Sequence, residues 1–167
     1  FNVSGMAESP EFSNRALQLI AGDWSLSPIV RINSGSALTV TRGTRDDARI
    51  FMRDQRPNVL QDNVYGDGTT ANYLNPNAFE TPARGTLGNL RRGAIRGPGT
   101  WQFDVALSRR FATSETTRIE IRAEAFNLTN SVRLNNPELR QDRSNTFGQV
   151  RSVRDPRIMQ FALKFAF

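Results

Sequence analysis

The sequence predicts an all-β chain, an antiparallel up-and-down meander that is part of a transmembrane β-barrel with long extracellular loops. Three patterns support this prediction. Several segments alternate bulky apolar residues with small or polar ones at a period of two, which is typical of strands with one apolar face. Between them lie one short polar turn and two long polar loops, the asymmetry of an outer-membrane barrel. No run of about 18 apolar residues is present, which excludes a helical membrane span.

Composition narrows the possible functions. The 167 residues carry a net charge of +6 and include neither Cys nor His, which excludes disulfides, His-ligated metals and Ser-His-Asp triads. We therefore expect no enzyme activity and no cofactor. The basic residues are spread along the chain without a basic helix, so we expect no nucleic-acid partner.

The first half of the chain contains two predicted strands. The first lies near residues 1–6, whose alternation begins part-way, so we expect the chain to be a piece of a longer protein. The second covers residues 22–41. Pro28 has no N–H to donate, which predicts an edge, a bulge or a local break in pairing there. The intervening residues 15–21 fit either one helical turn or the start of a strand.

Two long loops are predicted at residues 42–98 and 131–156, which are rich in Asp, Arg, Asn, Gly and Pro. The second holds a candidate short strand at residues 147–153. Structureless loops of this length are uncommon in compact soluble domains. They are typical of the outward-facing side of a membrane barrel.

Three further strands are predicted near residues 100–111, 118–128 and 157–167. The short turn 112–117 joins the first two. If the chain's end is periplasmic, this turn lies on the periplasmic side and both long loops lie outside.

Alternation assigns side chains to two faces. The apolar set is predicted to face lipid and comprises Trp24, Leu26, Val30, Trp101, Phe103, Val105 and Leu107. The polar set is predicted to face water in the lumen and comprises Asp104, Arg110, Arg118, Glu120, Arg122 and Glu124. The Arg and Glu residues of the segment 118–124 fit a solvated wall with cross-strand ion pairs to Asp104 and Arg110. A glycosidase-like carboxylate pair is the weaker interpretation, because flanking guanidinium groups keep each carboxylate ionised.

Sequence blocks over most of the chain resemble the C-terminal part of TonB-dependent outer-membrane receptors, in particular large receptors with an N-terminal carboxypeptidase-regulatory-like domain. The blocks occur in order: GDWSLSPIVRINSGSALTV (22–40), RPN (56–58), YLNPNAFETPARGTLGN (73–89), RGPG (96–99) followed by WQFDVALSRRF, RAEAFNLTN (122–130), FGQV (147–150) and QFALKFAF (160–167). The terminal aromatic strand resembles the signal read by the barrel-assembly machinery, and it assigns that role to Phe161, Leu163, Phe165 and Phe167.

The resemblance implies a barrel of about 22 strands with an N-terminal plug in its lumen. Such a receptor imports a scarce or bulky ligand across the outer membrane with energy passed through TonB. The implied partners are the remaining strands and the plug of the parent chain, outer-membrane lipid and, through the parent, TonB. Residues 1–167 would be the C-terminal segment of that barrel and would not transport a ligand alone.

Two other interpretations stay open. Strands with unpaired edges can pair with copies of themselves, which would give a self-assembling oligomer or an extracellular fibre. The third interpretation is a soluble β-sandwich that binds a ligand at its surface.

Overall fold

The computed structural model describes residues 1–43, 55–114 and 116–167, and the chain divides into two compact units. We call the first the sheet unit, which comprises Phe1–Asn33, Thr100–Val132 and Asp155–Phe167. We call the second the loop unit, which comprises Ser34–Gly99 and Arg133–Arg154.

The described residues form ten strands, and every pairing between them is antiparallel, as predicted. The strands are β1 (Asn2–Ser4), β2 (Ala7–Glu8), β3 (Trp24–Asn33), β4 (Ala37–Leu38), β5 (Asn58–Val59), β6 (Phe79–Glu80), β7 (Ile95–Arg96), β8 (Thr100–Ala112), β9 (Arg118–Phe126) and β10 (Ile158–Ala166). The sheet unit holds the main sheet, in the order β1-β3-β8-β9-β10 with β2 also paired to β3. Strands β8, β9 and β10 follow one another as an up-and-down meander.

The sheet is open within the described residues. Strand β10 pairs with β9 along its whole length, from Ile158 opposite Phe126 to Ala166 opposite Arg118, and within the described residues no second strand pairs with it. The turn between β8 and β9 is tight, because the amides of Thr113 and Ser114 both donate to the Thr117 carbonyl, at 2.9 and 3.2 Å.

Pro28 explains why the pairing along β3 is divided between β1, which lies within the first predicted strand, and β2, which follows it. Strands β1 and β2 both pair with β3, and the gap between them falls opposite Pro28. The Gly5 amide donates to the Pro28 carbonyl at 3.2 Å, so the backbone polar groups of Pro28 point toward that gap. Proline offers no N–H on that side, and the ladder breaks there.

A short helix, α1 (Arg15–Ala21), connects β2 to β3. Asn14 caps it, since its side-chain oxygen accepts from the amides of Ala16 and Leu17 at 2.9 and 3.3 Å. The helical alternative for residues 15–21 is therefore the one observed. None of the helices described is long and apolar enough to cross a membrane.

Two predicted strands end earlier than expected. Strand β3 stops at Asn33 instead of continuing to residue 41, and Ala37–Leu38 pairs with β7 in a separate sheet. Gly35 between them has a φ of 93°, a left-handed conformation that turns the chain out of the ladder. Strand β9 stops at Phe126 because Asn127 has a φ of 53°.

The loop unit is more ordered than the predicted loops 42–98 and 131–156. Strands β4 and β7 form one small sheet, β5 and β6 form another, and a 3₁₀ helix spans Pro76–Ala78. The candidate strand 147–153 has only isolated bridges, Glu138 to Phe147 and Leu134 to Val153. Residues 44–54 of the first predicted loop lie outside the described residues.

A hydrophobic core fixes these elements of the loop unit. Its buried residues are Leu38, Val40, Leu74, Ala78, Phe79, Leu90, Ile95 and Phe147. The rings of Phe79 and Phe147 meet edge to face at 5.6 Å. The period-two pattern of the sequence did not predict this core, because its apolar residues occur singly among turn residues.

Candidate functional site: the two faces of the main sheet

The strand register sorts the side chains of the main sheet into two sets, because residues directly opposite each other in an antiparallel pair share a face. One row joins Leu26, Leu107, Ala123 and Phe161 across four strands. The neighbouring row joins Ser25, Ser108, Arg122 and Ala162. Apolar and polar rows alternate along most of the sheet.

The apolar face gathers the side chains that the sequence analysis grouped as lipid-facing. Its members are Val3, Trp24, Leu26, Pro28, Val30, Ile32, Trp101, Phe103, Val105, Leu107, Phe111, Ile119, Ile121, Ala123, Ala125, Met159, Phe161, Leu163 and Phe165. Many of them are exposed, and Phe161 and Leu163 are 77% and 73% accessible. A continuous exposed apolar surface of this kind marks contact with another apolar phase or partner.

The polar face carries the charges that the sequence analysis grouped as lumen-facing. Arg122 lies between two carboxylates of its own strand, with ion-pair distances of 2.8 Å to Glu120 and 3.5 Å to Glu124. Across the strand pair, the Gln160 amide donates to Glu124, and Lys164 lies opposite Glu120. Arg110 and Arg118 lie on the same face, opposite Glu120 and Ala112.

Asp104 lies on the polar face, but its carboxylate is not exposed to water as predicted. Its carboxylate is buried, at 2.5 Å from the Arg31 guanidinium. Gln102 Nε2 and the Asn127 amide both donate to Asp104 Oδ1, at 2.6 and 2.8 Å. The expected ion pairs from the segment 118–124 do not reach it, because the β8–β9 ladder begins only at Val105 and Ala125.

Asn127 organises the end of β9, a role that sequence reasoning missed. The residue is fully buried, and its side chain makes two hydrogen bonds with the backbone of Ser131. Asn127 Nδ2 donates to the Ser131 carbonyl at 3.1 Å, and Asn127 Oδ1 accepts from the Ser131 amide at 3.0 Å. The Ser131 hydroxyl donates to the Trp101 carbonyl at 2.9 Å. Asn is one of the few residues that tolerates a positive φ, so the Asn-Leu-Thr-Asn segment was the available signal.

Arg109 is the exception on the apolar face, and the sequence analysis did not single it out. It lies opposite Trp24 and Ile121. Its guanidinium carbon is 5.3 Å from the ring centre of Trp24 and 4.5 Å from that of Phe111. Such cation–π contacts stabilise a charge beside aromatic rings.

The terminal strand places Phe161, Leu163 and Phe165 in one line on the apolar face. Phe167 follows the end of β10, with its ring 5.9 Å from that of Phe165.

Within the described residues no group of His, Cys, Asp and Glu side chains could hold a metal ion.

Comparison with known proteins identifies the kind of chain that carries these faces. A family model described as an outer membrane beta barrel domain matches residues 1–160. No curated protein and no solved structure matches the chain. The family model covers nearly the whole sequence, and the chain therefore belongs to the outer membrane beta barrel domain family.

Proposed function

We propose that this chain is the C-terminal part of the barrel of a TonB-dependent outer-membrane receptor, which imports a scarce or bulky ligand. In this proposal the apolar face meets lipid and the polar face lines the lumen. The observation that carries it is the separation of the two faces across β3, β8, β9 and β10 in a chain of the outer-membrane barrel family. The finer assignment to TonB-dependent receptors depends on the ordered sequence blocks described above.

The dimensions of β8 support a membrane-spanning role. Trp101 and Phe111 are ten residues apart on the apolar face, and Val105 and Leu107 lie between them. Ten residues rise about 34 Å along a strand, or about 26 Å along the membrane normal at a tilt of about 40°. This height agrees with the apolar band of about 25 Å between the aromatic girdles of such barrels.

The connections at the two ends of the strands support an orientation. The turn Thr113–Thr117 is short, whereas the residues that join β3 to β8 and β9 to β10 include the whole loop unit. Outer-membrane barrels have short periplasmic turns and long extracellular loops. We therefore place the short turn at the periplasmic side, and the loop unit becomes the candidate outer surface for a ligand.

The import step needs an experiment on the full-length protein in a Gram-negative host. Uptake of a panel of iron complexes and oligosaccharides is compared in strains with and without TonB. The proposal predicts at least one compound whose uptake requires the full-length protein, TonB and the proton-motive force together. Uptake that persists without TonB would contradict the receptor assignment and leave a passive barrel.

Barrel assembly is the second expected property. We propose that Phe161, Leu163, Phe165 and Phe167 form the strand that the assembly machinery reads. Deletion of Phe167 in the full-length protein is expected to reduce the heat-modifiable folded form in the outer membrane, whereas Ala166→Gly is the matched control. Normal levels of the folded form after the deletion would remove this role.

Self-assembly is the alternative function, and the unpaired edge of β10 within the described residues is the observation that favours it. Copies of the chain joined edge to edge would bury those backbone groups. Native mass measurement in detergent separates the two. A regular series of multiples of the 167-residue chain supports self-assembly, whereas a single chain within a larger closed barrel supports the receptor.

A further inference from the structure

Helix α1 exposes its large apolar side chains, whereas a helix of a soluble protein usually buries them. Its apolar residues Leu17, Leu19 and Ile20 are 51%, 66% and 73% exposed. The side chain of its polar residue Gln18 instead forms hydrogen bonds with residues that flank the helix on either side. Gln18 Oε1 accepts from the Phe12 amide at 2.8 Å, and Nε2 donates to Asp23 at 3.2 Å. A short helix with this arrangement needs an apolar environment for its outer surface.

Two side chains tie this helix to the apolar face of the sheet. The Trp24 indole N–H donates to the Ile20 carbonyl at 3.1 Å. The Arg109 guanidinium donates to the Leu19 carbonyl. Both acceptors belong to the last turn of α1, whose carbonyls have no partner within the helix. The exposed side chains of α1 are thereby held beside the Trp24–Arg109 pair of β3 and β8.

The position of Arg109 fits an interface between lipid and water. Trp24, Phe111 and Arg109 lie at the end of the strands that carries the short turn Thr113–Thr117. Aromatic side chains at this level form the girdle of a membrane barrel. A guanidinium that contacts two aromatic rings at this level lies at the height of the lipid phosphates, and its planar donors match a phosphate.

We propose that α1 together with Trp24 and Arg109 forms a docking site for the phospholipid leaflet at the short-turn end of the sheet. Leu17, Leu19 and Ile20 enter the outer part of the acyl chains, and Arg109 pairs with a lipid phosphate. This site rests on the proposed function, because it presumes that the apolar face is in the membrane. Lipid is favoured over a protein partner because α1 is hydrogen-bonded to Trp24 and Arg109 of the apolar face, and Arg109 places a cation beside the exposed apolar side chains of the helix.

The two tryptophans of the chain allow a direct test. Trp101→Phe leaves Trp24 as the only tryptophan, and Trp24→Phe leaves Trp101. Each variant of the full-length protein, with any tryptophan outside residues 1–167 replaced by Phe, is reconstituted in vesicles of phosphatidylcholine and phosphatidylglycerol that carry bromine either near the head group or near the end of the acyl chains. Fluorescence quenching by bromine reports the depth of each indole. We expect both tryptophans to be quenched most by bromine near the head group.

Substitutions in α1 then isolate the helix. In the Trp101→Phe background, Leu19→Gln with Ile20→Gln is expected to abolish most of the quenching of Trp24, since the helix loses its apolar surface. Leu60→Gln, which changes a 57% exposed leucine of the loop unit, is the matched control and is expected to change nothing. If Arg109 pairs with a lipid phosphate, the emission of the neighbouring Trp24 is expected to depend on the phosphatidylglycerol content of the vesicles. Arg109→Gln is expected to remove that dependence. Inorganic phosphate is added as a competitor, and it is expected to leave that dependence unchanged.

The outcomes separate this inference from the proposed function. Quenching of Trp101 without quenching of Trp24, or quenching of Trp24 that ignores the α1 substitutions, overturns the docking site alone. Absence of quenching at both tryptophans overturns the membrane-spanning assignment as well. Trp24 shielding that depends on the protein-to-lipid ratio assigns α1 to a second copy of the chain and overturns the lipid proposal. Competition by inorganic phosphate assigns Arg109 to a free anion and overturns its pairing with lipid.

Discussion

The sheet unit and the loop unit bury apolar side chains in opposite ways. In the sheet unit, Phe161, Leu163 and Phe165 remain exposed on one face, and Ala125 is the one buried apolar residue among the described residues of that unit. In the loop unit, Leu74, Val40 and Ile95 are almost completely buried in a common core. The loop unit thus buries its apolar side chains as a protein in water does, whereas the sheet unit has the exposed apolar face that is expected of a membrane barrel.

Charge separates the two units as clearly as burial does. The sheet unit contains eight basic and eight acidic residues, whereas the loop unit contains 14 basic and eight acidic residues. The whole net charge of +6 therefore belongs to the loop unit. A net positive charge attracts anions over several ångströms and raises their association rates at low salt. We therefore expect the sheet and its loops to lie in different surroundings, and the following predictions test that difference.

The largest expected effect is in the core of the loop unit. Leu74→Ala removes a side chain that is 1% exposed and is expected to destabilise the loop unit by about 2–5 kcal/mol. Leu60→Ala in the same unit changes a side chain that is 57% exposed and serves as the control. Hydrogen exchange measures both. Faster exchange at β4 to β7 with unchanged exchange at β8 to β10 would support two separate units, whereas equal acceleration throughout would contradict them.

The next effect compares the two faces of β8. Val105→Arg places a guanidinium on the apolar face at mid-strand, which is expected to cost about 2–4 kcal/mol at the middle of a membrane. Ala106→Arg places the same group on the polar face beside Glu124, and it is expected to be tolerated. The yield of heat-modifiable folded barrel from the full-length protein measures both variants. Equal yields would mean that the faces are misassigned.

A smaller effect is expected from the buried carboxylate of the polar face. Asp104→Ala leaves the Asn127 amide without its acceptor and removes the ion pair to Arg31, at a cost of about 1–3 kcal/mol. Glu124→Ala is the control, since its ion pair with Arg122 is longer, at 3.5 Å, and more exposed. Urea unfolding from lipid vesicles compares them. A Glu124 variant that loses as much stability as the Asp104 variant would contradict the special role of the buried cluster.

The smallest effect is the pH dependence of the loop unit. Burial raises the pKa of Glu138, but hydrogen bonds from Arg143 and from the amides of Arg140 and Leu139 outweigh it, and the net pKa lies below the ordinary 4.5. The Arg140 guanidinium likewise lowers the pKa of Asp142 below 3.8. Because both folded pKa values are depressed, the stabilisation is complete above the ordinary values and is lost as the pH falls through the folded ones.

Hydrogen exchange of the loop unit is therefore expected to change little from neutral pH down to the ordinary carboxylate range and to accelerate below it, after correction for the intrinsic exchange rate. Glu138→Gln should flatten that acid response. Lys164→Gln in the sheet unit is the control and should leave it as it is. A response that is unchanged in Glu138→Gln would exclude this carboxylate as its origin.

The main strands could be predicted from the sequence because period-two alternation is a strong local signal. Residues 100–111 and 157–167 match β8 and β10 within two residues at either end. The predicted strand 22–41 was too long because Ala37 and Leu38 keep the apolar character of β3, although the turn at Gly35 directs them to β7. Local pattern does not encode which partner a short apolar segment finds.

The loop core and the buried cluster could not be predicted for a related reason. Leu74, Ile95 and Phe147 are far apart in sequence, and only the folded chain brings them together. Arg31 and Asp104 are separated by 73 positions, so no spacing rule links them. The position of Arg109 on the apolar face follows from the alternation, but its hydrogen bond to the Leu19 carbonyl depends on α1, which the sequence left undecided.

The central claim is that one face of the sheet meets lipid and the other meets water, and cysteine labelling of β8 tests it most directly. These 167 residues contain no Cys, so a single Cys substitution at position 103, 105, 106, 107 or 108 gives one labelling site in them, and any Cys elsewhere in the full-length protein is first replaced by Ser. The full-length protein in outer-membrane vesicles is treated with a water-soluble maleimide. The account predicts fast labelling at positions 106 and 108 and little labelling at 103, 105 and 107. Equal labelling at all five positions, or the inverse pattern, would contradict it.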